Sequence, residues 1–152
     1  MVCFFFTPGI ARQQVGFQAY WLRNYNDVSQ GEVLEFESTD YNSGDYNTTT
    51  GMFTCSVPGL YYFSVTLAAG GTFGNPRYVY FVIMVGNSQK SLGYSYSDNG
   101  YPNFGTAHLV YRLSQGERVW VENLSSSARY RDIYYNNHFS GVLISPDIIE
   151  DN

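Results

Sequence analysis

Residues 50–67 read TGMFTCSVPGLYYFSVTL, two strand-like runs joined at Pro58-Gly59. Side chains alternate along a strand, so Phe53, Cys55 and Val57 share one face while Met52, Thr54 and Ser56 share the other. In the second run Tyr61, Phe63, Val65 and Leu67 make a wholly apolar or aromatic face that points to a core. The opposite face sets Tyr62 among Ser64 and Thr66, which suits cover by a neighbour as well as contact with water. The stretch reads as a hairpin at the centre of an all-β fold.

Period-two patterning continues on both sides. Residues 15–21 predict a first strand, residues 24–31 a polar loop, and residues 33–36 the next strand. Residues 38–45 carry the Asn, Asp and Gly of a turn. After a glycine-rich loop at 70–76, residues 78–85 (YVYFVIMV) form the most apolar run. Both of its faces look buried, one against an opposing sheet and one against another subunit. Residues 91–96 predict a short strand and 97–103 a loop. Residues 106–123, turning at 114–117, predict a second hairpin, and 139–144 the last strand. Turn signals between many short strands, with no helical period, predict a β-sandwich.

Composition bounds the function. A chain of 152 residues suits one domain with a sizeable core. Charged residues are only 14% while aromatics reach 18%, with 15 tyrosines, so some tyrosine-rich surface is expected to be covered by subunits or ligands. A net charge of −5, with no cluster of Lys or Arg, excludes nucleic acid as an expected partner and disfavours anionic membranes. No run of about 20 apolar residues predicts membrane insertion, and the apolar start at 1–6 is too short for a signal-peptide core. Cys55, on the core face, reads as a small hydrophobe, whereas Cys3 reads as a spare thiol or an interchain link. The only histidines, His108 and His138, stand apart from any nucleophile or metal-ligand pattern, so no enzyme is expected.

Phe36, Asn42, Tyr46 and Phe53, followed by Gly59-Leu60-Tyr61-Tyr62-Phe63, resemble the signature of the complement C1q globular head. Further matches lie at 116–121 and 139–144, so the resemblance covers about residues 15–144. The gap from Asn42 to Tyr46 is one residue short of the usual pattern, and Val65 stands where an aromatic is usual. The resemblance implies a ten-stranded jelly roll of the tumour-necrosis-factor-like type, with an N-terminal extension at 1–14, the head at 15–145 and a frayed acidic tail at 146–152. It implies a secreted homotrimer in which strand 139–144 lies in the sheet nearest the threefold axis.

No cofactor is required by this reading. Calcium is a candidate, because some family heads bind it through acidic residues in the loop that here carries Asp98 and Asn103. The alternative for both residues is turn chemistry. Asn47-Thr48-Thr49 and Asn123-Leu124-Ser125 fit the N-glycosylation rule, and Asn123 ends a predicted strand. Residues 128–137 combine Arg129, Tyr130, Arg131, Asp132, Tyr134 and Tyr135. Guanidinium forks and phenol faces suit acidic glycans, although these charges also suit pairing with one another or across subunits. The expected function is lectin-like pattern recognition in innate immunity, with microbial or cell-surface glycans as ligands. The alternatives are a trimeric signalling ligand for a protein receptor and a matrix protein.

Overall fold

The computed structural model describes residues 14–22, 24–71, 74–98, 100–101, 103–130 and 137–148. Among these, twelve strands follow in order: β1 (Gly16–Tyr20), β2 (Tyr25–Val28), β3 (Ser38–Asn42), β4 (Tyr46–Asn47), β5 (Met52–Thr54), β6 (Gly59–Ala68), β7 (Arg77–Val85), β8 (Ser88–Ser97), β9 (Phe104–Leu113), β10 (Arg118–Asn123), β11 (Ala128–Tyr130) and β12 (His138–Pro146). They make two five-stranded sheets, ordered β3-β1-β12-β6-β9 and β4-β5-β10-β7-β8, with β2 and β11 as a separate ribbon. No helix among the described residues is long and apolar enough to cross a membrane.

The stretch at 50–67 is a crossing between sheets, not a hairpin. β5 pairs with β4 and β10, while β6 pairs with β12 and β9. Phe53 meets Tyr61 and Phe63 edge-on at 5.4 and 5.5 Å across the sandwich. Alternation shows that both runs face one core, yet facing strands of two sheets produce the same pattern as neighbours in one. The second predicted hairpin fails for the same reason, because β9 lies beside β6 and β10 lies between β5 and β7. The two crossings support each other: the Cys55 amide donates to the Glu117 carbonyl, and the Gly116 amide to the Cys55 carbonyl, each at 2.8 Å.

Other expectations shift locally. Residues 33–36 contribute one bridge, Val33 to Glu122, and Leu34 and Phe36 bury their side chains without a strand. Ser38–Asn42 is β3, paired to β1 through a register shift, and the turn chemistry is confined to the next few residues. There Asn42 Oδ1 accepts from the Gly44 and Tyr46 amides, and its Nδ2 donates to the Tyr46 carbonyl. The expected polar loop at 24–31 contains β2, held by β11. β7 buries both faces only from Phe81 onward, because Tyr78 and Tyr80 are exposed while Val82 and Met84 are covered. The expected frayed tail begins with anchored residues: Pro146 registers with Gly59, the Asp147 amide donates to Pro58 O at 2.8 Å, and its carboxylate pairs with Arg112.

The core is aromatic. Trp21 stacks on Phe36 at 4.8 Å, and Phe17 stacks on Tyr46 at 4.5 Å and meets Phe139 edge-on at 4.9 Å. Val65 is fully buried at the position where the resemblance expects an aromatic. Cys55 is a free, buried thiol whose pKa burial raises, in agreement with a structural role. Cys3 lies outside the described residues.

Candidate recognition surface

Two loops far apart in sequence meet at one pole of the sandwich. Gly70-Gly71 runs between them: the Gly70 amide donates to the Arg129 carbonyl at 2.9 Å, and Ala69 bridges Tyr130. On the other side Ser97 Oγ donates to the Tyr101 carbonyl at 2.8 Å and lies 3.4 Å from Gly71 O. A Cβ on Gly71 would fall inside the Ser97 carbonyl oxygen, so only glycine allows this approach. The candidate calcium loop and the candidate ligand loop are thus brought together, which no local spacing in the sequence reveals.

Asp98 and Asn103 are engaged in closing their loop. Asn103 Nδ2 donates to the Tyr96 carbonyl at 2.8 Å, and the Asn103 carbonyl accepts from Ser95 Oγ. The Tyr96 phenol is raised above its ordinary pKa by desolvation and then by the Asp98 carboxylate facing it. A calcium ion takes about six to eight oxygen ligands. One carboxylate, with an amide turned to donate to backbone, does not make such a cage. Among the described residues no three His, Cys, Asp or Glu side chains converge.

Arg129 and Tyr130 part company, as alternation along β11 requires. The Arg129 guanidinium is partly exposed, with Nη2 3.9 Å from the exposed Asp27 carboxylate, an ion pair too loose and wet to immobilise it. Tyr130 points the other way into the core, edge-on to Trp21 at 5.4 Å, and its hydroxyl donates to Asn123 Oδ1 at 2.7 Å. Its phenol pKa is pushed up by burial. Tyr130 therefore anchors the base of the loop and cannot offer its face to a ligand. Arg131, Asp132, Tyr134 and Tyr135 lie outside the described residues.

The two sequons also separate. Asn123 is fully buried, with Nδ2 2.8–3.2 Å from the carbonyls of Val28, Ser29 and Ser125. A glycan on that nitrogen would break the whole set, so Asn123 is a structural amide that ties β10 to the pole. Asn47 is exposed at the end of β4, its oxygen accepting from the Thr49 and Thr50 amides of the following turn, a setting open to a glycan. His108 is exposed on the outer face of β9 with Nδ1 2.7 Å from the Tyr62 hydroxyl, and His138 opens β12, half-buried.

The tyrosine-rich surface that composition leads one to expect lies where local reading does not place it. Across the β7–β8 hairpin Tyr78 faces Tyr96 and Tyr80 faces Tyr94, all on the outside of the sandwich. The alternating tyrosines at 78 and 80 and again at 94 and 96 are the signal for it, hidden because residues 78–85 read as a uniformly buried run. The outer face of the other sheet exposes Val110, Val142 and Ile144 around the Tyr62–His108 pair.

Two antiparallel five-stranded sheets, with consecutive strands switching between them, define a jelly roll. The profile of the C1q domain matches residues 16–144, and the chain belongs to the C1q domain family. It is 28% identical over 141 residues to one of the polypeptides of the human complement C1q subcomponent, covering 91% of this chain and 53% of the relative. It is 28% identical over 119 residues to the mouse collagen alpha-1(X) chain, covering 76% of this chain and 17% of the relative. The chain thus spans only part of these relatives' lengths. The globular domain of zebrafish complement 1qA superposes with a TM-score of 0.65 at 20% identity, covering 88% of this chain and 99% of the other. Eiger TNF from S. frugiperda superposes with a TM-score of 0.72 at 12% identity, covering 93% and 99%, which marks a shared fold. As a C1q domain the chain belongs with modules of recognition or signalling.

Proposed function

We propose that this chain is the secreted, homotrimeric head of a pattern-recognition protein that binds microbial or cell-surface glycans in innate immunity. The observation that carries the reading is Arg129: a partly exposed, loosely paired guanidinium at the pole where the loops converge. A guanidinium fork suits the carboxylates and phosphates of acidic glycans, and Arg131 and Asp132 follow it in sequence. The resemblance supplies the trimer, and the exposed Val110, Val142 and Ile144 support it, because an apolar sheet face gains by being covered. Three weak sites on one body would raise avidity against repeated ligands.

The test is binding of the purified, trimeric protein to an array of acidic and neutral glycans and bacterial wall polymers, with calcium and again with chelator. Binding of acidic glycans, lost in Arg129→Ala with melting temperature and oligomer size unchanged, is expected. Loss on chelation would bring calcium back as a ligand-borne cofactor. If the array stays blank under both conditions, the lectin reading falls and a protein-receptor ligand takes its place.

A further inference from the structure

Among the described residues, the four tyrosines on the outside of β7 and β8 take no part in the core. Tyr78, Tyr80, Tyr94 and Tyr96 are 59%, 40%, 48% and 37% exposed. They lean on one another, with ring centroids 5.8 Å apart for Tyr78 and Tyr80 and 4.9 Å for Tyr80 and Tyr94, so their rotamers are partly fixed before any ligand arrives. Leu92, exposed beside the covered Val82, continues the row. From position 92 to 96 the row spans about 13 Å along β8, a track longer than one sugar ring.

The chemistry of the margin selects the occupant. Four phenol hydroxyls stand on this face and the Asp98 carboxylate lies against Tyr96 at its end. A dry protein surface laid here would strip those groups of water and penalise each one left unpaired. A pyranose offers a C–H face to the rings and hydroxyls to the phenols and carboxylate together. Charge points the same way. Glu122, beside Val82, and Asp98 place negative charge along the row, while Lys90 turns to the Tyr111 ring at 5.1 Å. Such a margin repels acidic sugars and accepts neutral ones.

We propose that this tyrosine ladder is a platform for neutral polysaccharide chains, lying beside the arginine loop and separate from it. The inference rests on the glycan-recognition reading only in that the protein meets polysaccharide at all. The probes are a soluble mannan, a linear β-glucan and a dextran, titrated by calorimetry against the full chain. At least one should bind, and Tyr78→Ala with Tyr94→Ala should weaken it about tenfold or more. Arg129→Ala should leave this binding unchanged. Should the double alanine variant fold poorly, nitration of the unmodified protein mapped by mass spectrometry gives the same answer, since bound polymer should protect Tyr78 and Tyr94.

Binding of acidic glycans without any neutral polymer would overturn the ladder and leave the lectin reading standing. Binding of neither class would remove both. Neutral binding lost in Arg129→Ala but kept in the tyrosine variant would move the site to the loop and overturn the ladder. So would self-association of the wild type abolished by the tyrosine substitutions, since a second copy would then be what covers this face.

Discussion

Tyr46, Tyr61 and Tyr130 are buried with their hydroxyls bonded to Phe36, Val57 and Asn123, whereas Tyr78, Tyr80, Tyr94 and Tyr96 face water. The same residue type serves the core because a ring can be buried whole if its hydroxyl finds an acceptor. Burial raises all three phenols above the ordinary value of about 10. Below that value both states keep the proton and the contribution to stability is complete. Above it the unfolded chain ionises while the folded chain does not, so stability falls as pH rises, by about 1.4 kcal/mol per pH unit for each such phenol. Cys55, also raised by burial, starts the decline nearer the ordinary thiol value of about 8.5. The urea midpoint should therefore be level near pH 7–8 and drop steeply beyond about 10. A midpoint unchanged to about pH 11 would mean that these phenols are already wet. Sequence counts the tyrosines but does not sort them: Tyr130 sits in a polar stretch that reads as ligand-facing, and only the register of β11 turns it inward.

At the scale of the element, alternation identifies which residues face the core and misses which strands are neighbours. β5 and β6, like β9 and β10, put their apolar faces on one interior, and a short connection makes a hairpin the economical reading. The chain instead crosses between sheets at both places. Where the two sheets' edges come together, Gly105 at the start of β9 packs on β8, and an added Cβ would fall inside the Tyr94 carbonyl oxygen. Backbone cannot step aside as a flexible side chain can. Gly105→Ala should accordingly cost about 3 kcal/mol or more, read as a lowered melting temperature. A melting temperature within a degree or so of wild type would show that this edge contact is slack. β3 is missed by local reading for a related reason: its residues have turn chemistry, and only its partner β1 makes them extended.

For the whole molecule, the two outer faces differ in chemistry. The face of β12, β6 and β9 exposes Val110, Val142 and Ile144, and the face of β7 and β8 exposes the tyrosines. If the first is the subunit contact, Val142→Glu places a carboxylate in it without touching the core, since Val142 is 49% exposed in the single chain. Sedimentation should then give a monomer with an unchanged far-ultraviolet spectrum, and binding to a multivalent surface should fall by about 10²-fold or more as avidity is lost. A trimer that survives the change would place the contact elsewhere. The sequence by itself determined the all-β class, the core-facing residues and the family resemblance, because alternation and fixed aromatic offsets are local properties of the chain. Only the tertiary structure decided that the central stretch crosses between sheets, that Tyr130 and Asn123 are internal, that the loops carrying Asp98 and Arg129 share a pole, and that two pairs of tyrosines form one surface. Each of these depends on which distant segment lies alongside, and pairing energies that act across the fold leave no periodic mark along the sequence.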